Sequence, residues 1–241
     1  MAGLIPLSFA QQRLWLIDRL EGPSPVYNVP LALRFSGAVN HAALEAALRD
    51  VVVRHESLRT VFTETAGVAH QDILDPEALS VPFEVGETDE AALAQDLEEF
   101  GARPFDLARE IPVRARLLLP APEESVLALV IHHTACDGWS IGPLFRDLGT
   151  AYRARCQADG RTPQWEPLPV QYADYALWQR EMLGDEDDPD SEVSRQSAFW
   201  SAELTGLPEQ LSLPADRPRP AVSDFRGGPY PSRSAPRPTA E

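Results

Sequence analysis

Two adjacent histidines, His132 and His133, are followed within five residues by Asp137 and Gly138. Free imidazole has a pKa of about 6.5, so a histidine is largely neutral at pH 7 and can accept a proton or hold a reacting group by a hydrogen bond. Gly138 lets backbone approach closely, because it has no side chain to block the way. The segment therefore predicts a compact site for acid–base chemistry.

The elements around this segment predict where the histidines lie. The apolar run Val126 to Ile131 is typical of a buried strand, and Ser140 has the residue type that begins a helix. The histidines would then stand at a strand end, where open sheets border a crevice. Adjacent strand residues point to opposite faces, so we expect one of the two histidines to be structural. For an isolated pair, packing in a hydrogen-bonded core is the commoner outcome.

Composition bounds the class of protein. The chain has 241 residues with 44% hydrophobic content, enough to bury a substantial core. It carries 21 basic and 37 acidic residues, a net charge of −16, which disfavours nucleic acid or an anionic membrane as a partner. The two cysteines, Cys136 and Cys156, lack zinc-finger spacing and give no disulfide framework. With neither a signal peptide nor a membrane-spanning segment evident, we expect a soluble, cytoplasmic protein.

Strands and helices alternate along the chain. Hydrophobic periodicity predicts strands at 29–35, 68–74, 81–85, 111–119 and 126–131, and the segment 54–62 is expected to pass from a helix end into a further strand. It predicts helices at 8–20, 40–55, 88–100, 140–154, 171–183 and 191–204, the third of them capped by Thr88. The predicted fold class is α/β, a two-layer single lobe of helices around one mixed sheet. An aromatic stripe on the 171–183 helix, from Tyr172 to Met182, is expected to be core.

Four segments carry a resemblance to a known family. Residues 132–138 resemble the His-His-x-x-x-Asp-Gly signature of the condensation domains of non-ribosomal peptide synthetases, which are similar in fold to chloramphenicol acetyltransferase. Residues 8–15, 54–62 and 172–178 resemble three further motifs of that family, in the same order. The resemblance implies that residues 1–213 form the N-terminal lobe of such a domain. Residues 214–241 would begin the inter-lobe linker and continue as a disordered Pro- and Arg-rich tail.

The family resemblance implies roles for individual residues. His133 would be catalytic, and backbone N–H groups near Gly138 would stabilise a developing oxyanion. His132, Asp137, Arg59 and Trp139 would support the site, with Asp137 pairing with an arginine of the second lobe. His55 has an alternative interpretation, in which the last carbonyls of the preceding helix satisfy it.

The resemblance also implies substrates and partners. Donor and acceptor aminoacyl groups would arrive on the 4'-phosphopantetheine arms of peptidyl carrier proteins, with no cofactor bound by the chain itself. An adenylation domain or a separate second lobe are further candidate partners. Three readings stay open: an amide-forming half-domain that is inactive alone, a non-catalytic remnant or carrier-interaction module, and a metal site built from His132, His133 and Asp137.

Overall fold

The computed structural model describes residues 4–157 and 160–208, together with 211, 214, 217 and 218. Within these ranges the strands are β1 (Ile5–Pro6), β2 (Asn28–Ser36), β3 (Thr60–Thr65), β4 (Val68–Ile73), β5 (Phe83–Glu87), β6 (Val113–Ala121) and β7 (Glu124–His132). The helices are α1 (Phe9–Glu21), α2 (His41–Arg54), α3 (Leu93–Gly101), α4 (Ile141–Arg155), α5 (Tyr172–Leu183) and α6 (Glu192–Glu203). Most of the predicted linker and tail, 214–241, lies outside the described residues.

The strands form two sheets. The larger has the order β2-β7-β6-β5, in which β5 and β6 are parallel and the other pairs antiparallel. The smaller has the order β1-β4-β3 and is antiparallel. The predicted α/β class is confirmed, but the prediction of one sheet is wrong. A two-residue turn at Ala66 and Gly67, both with positive φ, folds β3 directly onto β4, and β1 takes the other edge of β4.

Both faces of β7 are covered. Its residues at Leu127, Leu129 and Ile131 pack with α2 and α4, whereas Ala128 and Val130 pack with Phe62, Phe100 and Phe105. A strand buried on both faces has no polar side to show, which is why 126–131 reads as an unbroken apolar run. At the end of this strand the chain leaves the core, because His132 is buried and His133 is exposed.

The start of α3 differs from the prediction. The helix begins at Leu93, preceded by a turn, and Thr88 does not cap it. The Asp89 carboxylate accepts a hydrogen bond from the Ala92 N–H at 2.8 Å, so Asp89 organises the turn. The Thr88 hydroxyl instead donates to the carboxylate of Asp96. Two residues with capping side chains stand side by side here, and the carboxylate, the stronger acceptor, takes the backbone donor.

Helix α5 connects the beginning of the chain to the middle. At its start, the Gln171 side chain donates to the Arg54 carbonyl (2.9 Å) and accepts from the Glu56 N–H (3.1 Å). The Tyr172 hydroxyl lies 2.9 Å from that of Ser8, which caps α1. Further along α5, Gln179 accepts from the Phe9 N–H, and Arg180 donates to the Leu7 carbonyl. Three of the four family-like segments therefore meet at this helix.

The aromatic stripe of α5 is exposed, so the prediction that it is core is wrong for most of its length. Trp178 is 55% exposed, Tyr175 and Met182 are exposed as well, and no residue of α6 is buried. On α6, Trp200 is 53% exposed, with Phe199 and Leu204 alongside. We call Tyr175, Trp178, Met182, Phe199, Trp200 and Leu204 the aromatic face. No helix in the described residues is long and apolar enough to cross a membrane.

The aromatic face predicts self-association, because large exposed apolar surfaces on soluble proteins mark interfaces. Light scattering on the isolated chain should show a mass that rises with concentration. The pair Trp178→Ser and Trp200→Ser should raise the apparent dissociation constant about tenfold or more. Leu20→Ser, at an exposed position on α1, serves as the matched control and should leave association unchanged. A monomer at high concentration would contradict this prediction.

Candidate active site

The pairing of β7 with β2 places the two histidines. His132 pairs with Asn28, the last pair of the register, and His133 begins the turn that follows β7, where its N–H donates to the Tyr27 carbonyl at 2.8 Å. His132 is 3% exposed and meets the Tyr27 and Phe105 rings edge-on. His133, by contrast, is exposed. Its ring makes no hydrogen bond with any residue in the described ranges.

His132 is held as a neutral ring. Its Nδ1 accepts a hydrogen bond from the Thr134 N–H at 3.2 Å and lies 3.0 Å from the Thr134 hydroxyl. Burial, with a smaller contribution from His133, lowers the pKa of His132 to about 4. Neutral imidazole with an accepting Nδ1 carries its proton on Nε2. The ring is therefore a fixed, uncharged part of the core at pH 7.

This burial predicts a pH dependence of stability. Between pH 6.5 and about 4 the unfolded chain binds a proton at His132 that the folded chain does not, so the free energy of unfolding falls as pH falls. The contribution over that window is about 3 kcal/mol. His132→Asn keeps an acceptor near Nδ1 without the titration, so urea unfolding from pH 7 to 4 should show a shallower slope.

The control for this experiment is His41→Asn, which removes an exposed histidine at the start of α2. That variant should keep the pH dependence of the parent chain. Equal slopes for His132→Asn and the parent would contradict the assignment.

Asp137 and Ser140 close the turn that follows the histidines. The Asp137 carboxylate accepts from the Ser140 N–H (2.9 Å) and hydroxyl (2.6 Å), and the Asp137 N–H donates back to the Ser140 hydroxyl (3.2 Å). The hydrogen bonds from Ser140 lower the pKa of Asp137. Ser140 precedes α4 as predicted, but its side chain bonds Asp137 and does not cap the helix. Asp137 thus fixes the turn between the histidines and α4.

Gly138 is not required by any close contact in the described part of the lobe. A Cβ built at Gly138 would meet no atom within 4 Å, and its φ lies outside the left-handed region. The expectation that neighbouring backbone packs closely against Gly138 is therefore wrong for these residues. Trp139 is 90% exposed, so it does not support the site by packing in the core.

Replacing Gly138 with alanine should leave the free energy of unfolding unchanged or raise it by up to about 1 kcal/mol, since the unfolded chain loses entropy. Gly67→Ala is the matched comparison, because a Cβ there also meets nothing but φ is +82°. Strain in the left-handed region should cost that variant about 1–2 kcal/mol. Denaturant unfolding measures both, and a large loss in Gly138→Ala would contradict the open geometry.

Arg59 contacts a different part of the lobe. Its guanidinium donates to the Leu74 carbonyl and pairs with Glu56 at 3.3 Å. These contacts join the end of β4 to the 3-10 helix Glu56–Arg59. The structure shows no hydrogen bond or ion pair from Arg59 to the 132–140 turn, so any support it gives to the histidines is indirect.

His55 makes a contact that the sequence did not predict. Its Nε2 lies 3.0 Å from Asp147 Oδ2, the oxygen that also accepts from Arg54 Nε at 2.9 Å, and the helix carbonyls do not bond the ring. Burial lowers the pKa of His55, while Asp147 opposes the shift. Asp147 is buried on α4 between Leu144 and Leu148. In the sequence, Asp147 is an acid within the apolar stripe of α4. Because a buried acid needs a partner, this position could have indicated a contact with a basic or imidazole side chain.

A cavity of about 330 Å³ lies behind the turn, on the side of α2 and α4. Among the residues that line it are His55, Ile131, Ala135, Cys136, Trp139 and Leu144, whereas His133 does not line it. Burial and the charge of Asp137 raise the pKa of Cys136 to about 11, so this thiol stays protonated and is a poor nucleophile.

No cluster of three metal-binding side chains occurs among the described residues. His132 is buried against Tyr27 and Phe105, and His133 is exposed on the other side, so the two rings do not converge on one point. This geometry disfavours the metal site considered from the sequence.

A family profile described as "Condensation domain" matches residues 1–234. The chain belongs to the condensation-domain family. It is 58% identical over 224 residues to the probable non-canonical nonribosomal peptide synthetase CymA of Salinispora arenicola, covering 93% of this chain and 3% of that protein. It is 54% identical to a dimodular nonribosomal peptide synthase of Bacillus subtilis, covering 92% of this chain and 9% of that protein.

Solved structures agree with the family. The X-domain from teicoplanin biosynthesis superposes with a TM-score of 0.80 at 40% identity, covering 92% of this chain and 48% of that one. The same domain has been solved in complex with OxyB. The chain thus spans about half the length of the X-domain structure and less than a tenth of the length of each of the two synthetases. The predicted α/β single-lobe fold of a condensation domain is therefore confirmed, whereas the lobe boundary at residue 213 stays a prediction.

Proposed function

We propose that this chain is the N-terminal lobe of a condensation domain that forms an amide bond between two carrier-bound substrates. A donor aminoacyl or peptidyl thioester and an acceptor aminoacyl group would both be held on 4'-phosphopantetheine arms of peptidyl carrier proteins. The observation that supports this most directly is the exposed His133 ring. It stands at the end of a fully buried strand and has no hydrogen-bond partner in the described residues.

The chemistry requires one proton to move. The acceptor amine attacks the thioester carbonyl carbon, the new C–N bond forms, and the C–S bond breaks to release a thiol. His133 accepts the proton that the amine loses, or holds the amine in line, and the proton leaves with the thiol. An exposed imidazole suits this role, because one ring nitrogen can accept a proton while the other donates a hydrogen bond.

Gly138 supplies a candidate oxyanion donor. Its N–H makes no hydrogen bond to the described residues, and a Cβ there would meet nothing, so space beside it is open. The tetrahedral intermediate carries negative charge on the former carbonyl oxygen, which a free backbone N–H stabilises. The hydrogen bonds between Asp137 and Ser140 close the turn that contains Gly138, which limits the motion of this N–H.

We infer that the lobe is inactive by itself. Both thioesters must be held in near-attack geometry, and His133 and the aromatic face are open to solvent. A second lobe, supplied by further sequence or another chain, would enclose the substrates. The alternative function is a non-catalytic interaction module, favoured by the 40% identity to an X-domain that was solved bound to OxyB.

With a complementing second lobe and loaded carriers, His133→Ala should lower the rate of amide formation about 10²- to 10⁴-fold, the usual range for a positioned acid or base. His132→Ala should act mainly through folding, because that ring is buried. Single-turnover assays that follow product by mass spectrometry measure the rate, with circular dichroism reporting on folding.

The unsupplemented lobe is the control and should yield no product. Product from the lobe alone would contradict the need for a second lobe. An unchanged rate in His133→Ala would contradict the proton-transfer role, and carrier binding without any product in the complete system would favour the interaction module.

A further inference from the structure

The cavity behind the turn lies close to His133. Ile131 and Ala135 line it, and His133 stands between them in the turn that the Ala135 N–H closes by donating to the His132 carbonyl. Consecutive Cα atoms are about 3.8 Å apart, so the Cα atoms of Ile131 and His133 lie within about 7.6 Å of each other. A substrate held at His133 could therefore extend a group of a few bonds into this cavity.

The cavity wall combines apolar surface with one oriented polar ring. Leu58, Ile131 and Leu144 supply apolar surface, and His55 supplies the ring. Asp147 accepts from His55 Nε2, and burial keeps the ring neutral by lowering its pKa. The remaining nitrogen, Nδ1, is then an acceptor, and it has no hydrogen bond to the described residues. It is the ring atom available to an occupant.

We propose that this cavity is a side-chain subsite for one of the two aminoacyl groups, selecting an apolar side chain that carries one hydroxyl or N–H donor. The assignment of the occupant as an aminoacyl group rests on the proposed function. The volume of about 330 Å³ is at the small end of ligand sites, which suits one side chain. The hydroxyl or N–H donates to His55 Nδ1, and the apolar part fills the space between Ile131 and Leu144.

The rim connects the subsite to the turn. Trp139 and Ser140 both line the cavity. Trp139 is 90% exposed, and Ser140 hydrogen-bonds Asp137, so an occupant contacts two neighbouring residues of the turn. Binding in the cavity should therefore bury part of the Trp139 indole. That indole provides a spectroscopic reporter.

The test uses the chain itself with two probes, p-cresol, which has the side-chain chemistry of tyrosine, and toluene, which has that of phenylalanine. Titration followed by NMR should show saturable shifts of the Trp139 indole N–H, assigned with Trp139→Phe. In His55→Gln the amide N–H can still donate to Asp147, whereas the Nδ1 acceptor is lost from its position on the ring and the amide oxygen stands at a different angle. This variant should bind p-cresol about 3- to 10-fold more weakly, consistent with one lost hydrogen bond, and toluene within twofold of the parent.

Two further variants protect the test. Ala135→Leu fills the cavity and should weaken both probes, and it answers the question if His55→Gln fails to fold. His41→Gln, at an exposed position, should bind as the parent does. Equal p-cresol affinity in the parent and a folded His55→Gln would overturn the proposal, as would saturable shifts confined to the separate cavity lined by Phe145 and Tyr152.

A second arm separates the subsite from the proposed function. In the lobe complemented with its second half, tyrosyl and phenylalanyl carriers are compared for the parent and His55→Gln. A selective loss with the tyrosyl substrate, seen in KM more than in kcat, is expected. Condensation that proceeds with the same preference in both proteins would overturn the subsite alone, whereas probe binding without any condensation would overturn the proposed function alone.

Discussion

Burial of β7 on both faces is the constraint on which the rest of the site depends. Phe62, Phe100 and Phe105 cover one face, and α2 and α4 cover the other. The two faces carry side chains of different size, with Leu127, Leu129 and Ile131 on one and Ala128 and Val130 on the other. A one-residue slip against β2 and β6 would exchange these sets and spoil the packing on both faces, so the register is strongly fixed. The two histidines inherit that register. His132 packs against Tyr27 and Phe105 in the core, and His133 lies exposed in the turn after β7.

A second constraint acts through Asp147. This buried carboxylate meets Arg54 and His55 from the end of α2, and Arg146 lies 3.5 Å from its other oxygen. Removing Arg54 or His55 would leave the buried Asp147 carboxylate with fewer partners, which would lower the free energy of unfolding. The network therefore fixes the packing of α2 against α4. The same contacts orient His55 in the cavity wall. Asp147 therefore serves both the packing of the two helices and the orientation of the ring that faces the proposed ligand.

Local patterns predicted much of this lobe, and tertiary relations account for most of the misses. The apolar run of β7, the Ser8 and Asn40 caps and the spacing around His133 are local signals, and the structure contains each element they indicate. The pairing of His55 with Asp147 joins residues 92 apart in sequence, which no periodicity reveals. Likewise, the aromatic spacing on α5 indicates an apolar helix face. Whether that face is buried depends on tertiary packing, which the spacing does not reveal.

Two errors concern single residues, Thr88 and Gly138. Thr88 and Asp89 both have capping side chains, and the carboxylate took the backbone donor. At Gly138 the sequence indicated a need for close approach, but the space around it is open in the described lobe. Packing within the described lobe therefore does not require the glycine of this family-like motif.

The contacts of α5 with the first residues of the lobe bear on how the chain folds during synthesis. Leu7 and Ser8 are buried, and they are held by Tyr172 and Arg180, at separations of 164 and 173 residues. Contacts this distant close slowly and only after both segments exist. On the ribosome, the N-terminal strand and helix must therefore wait, partly undocked, until α5 has left the exit tunnel. A nascent chain stalled before that point would present its opening apolar segment to chaperones.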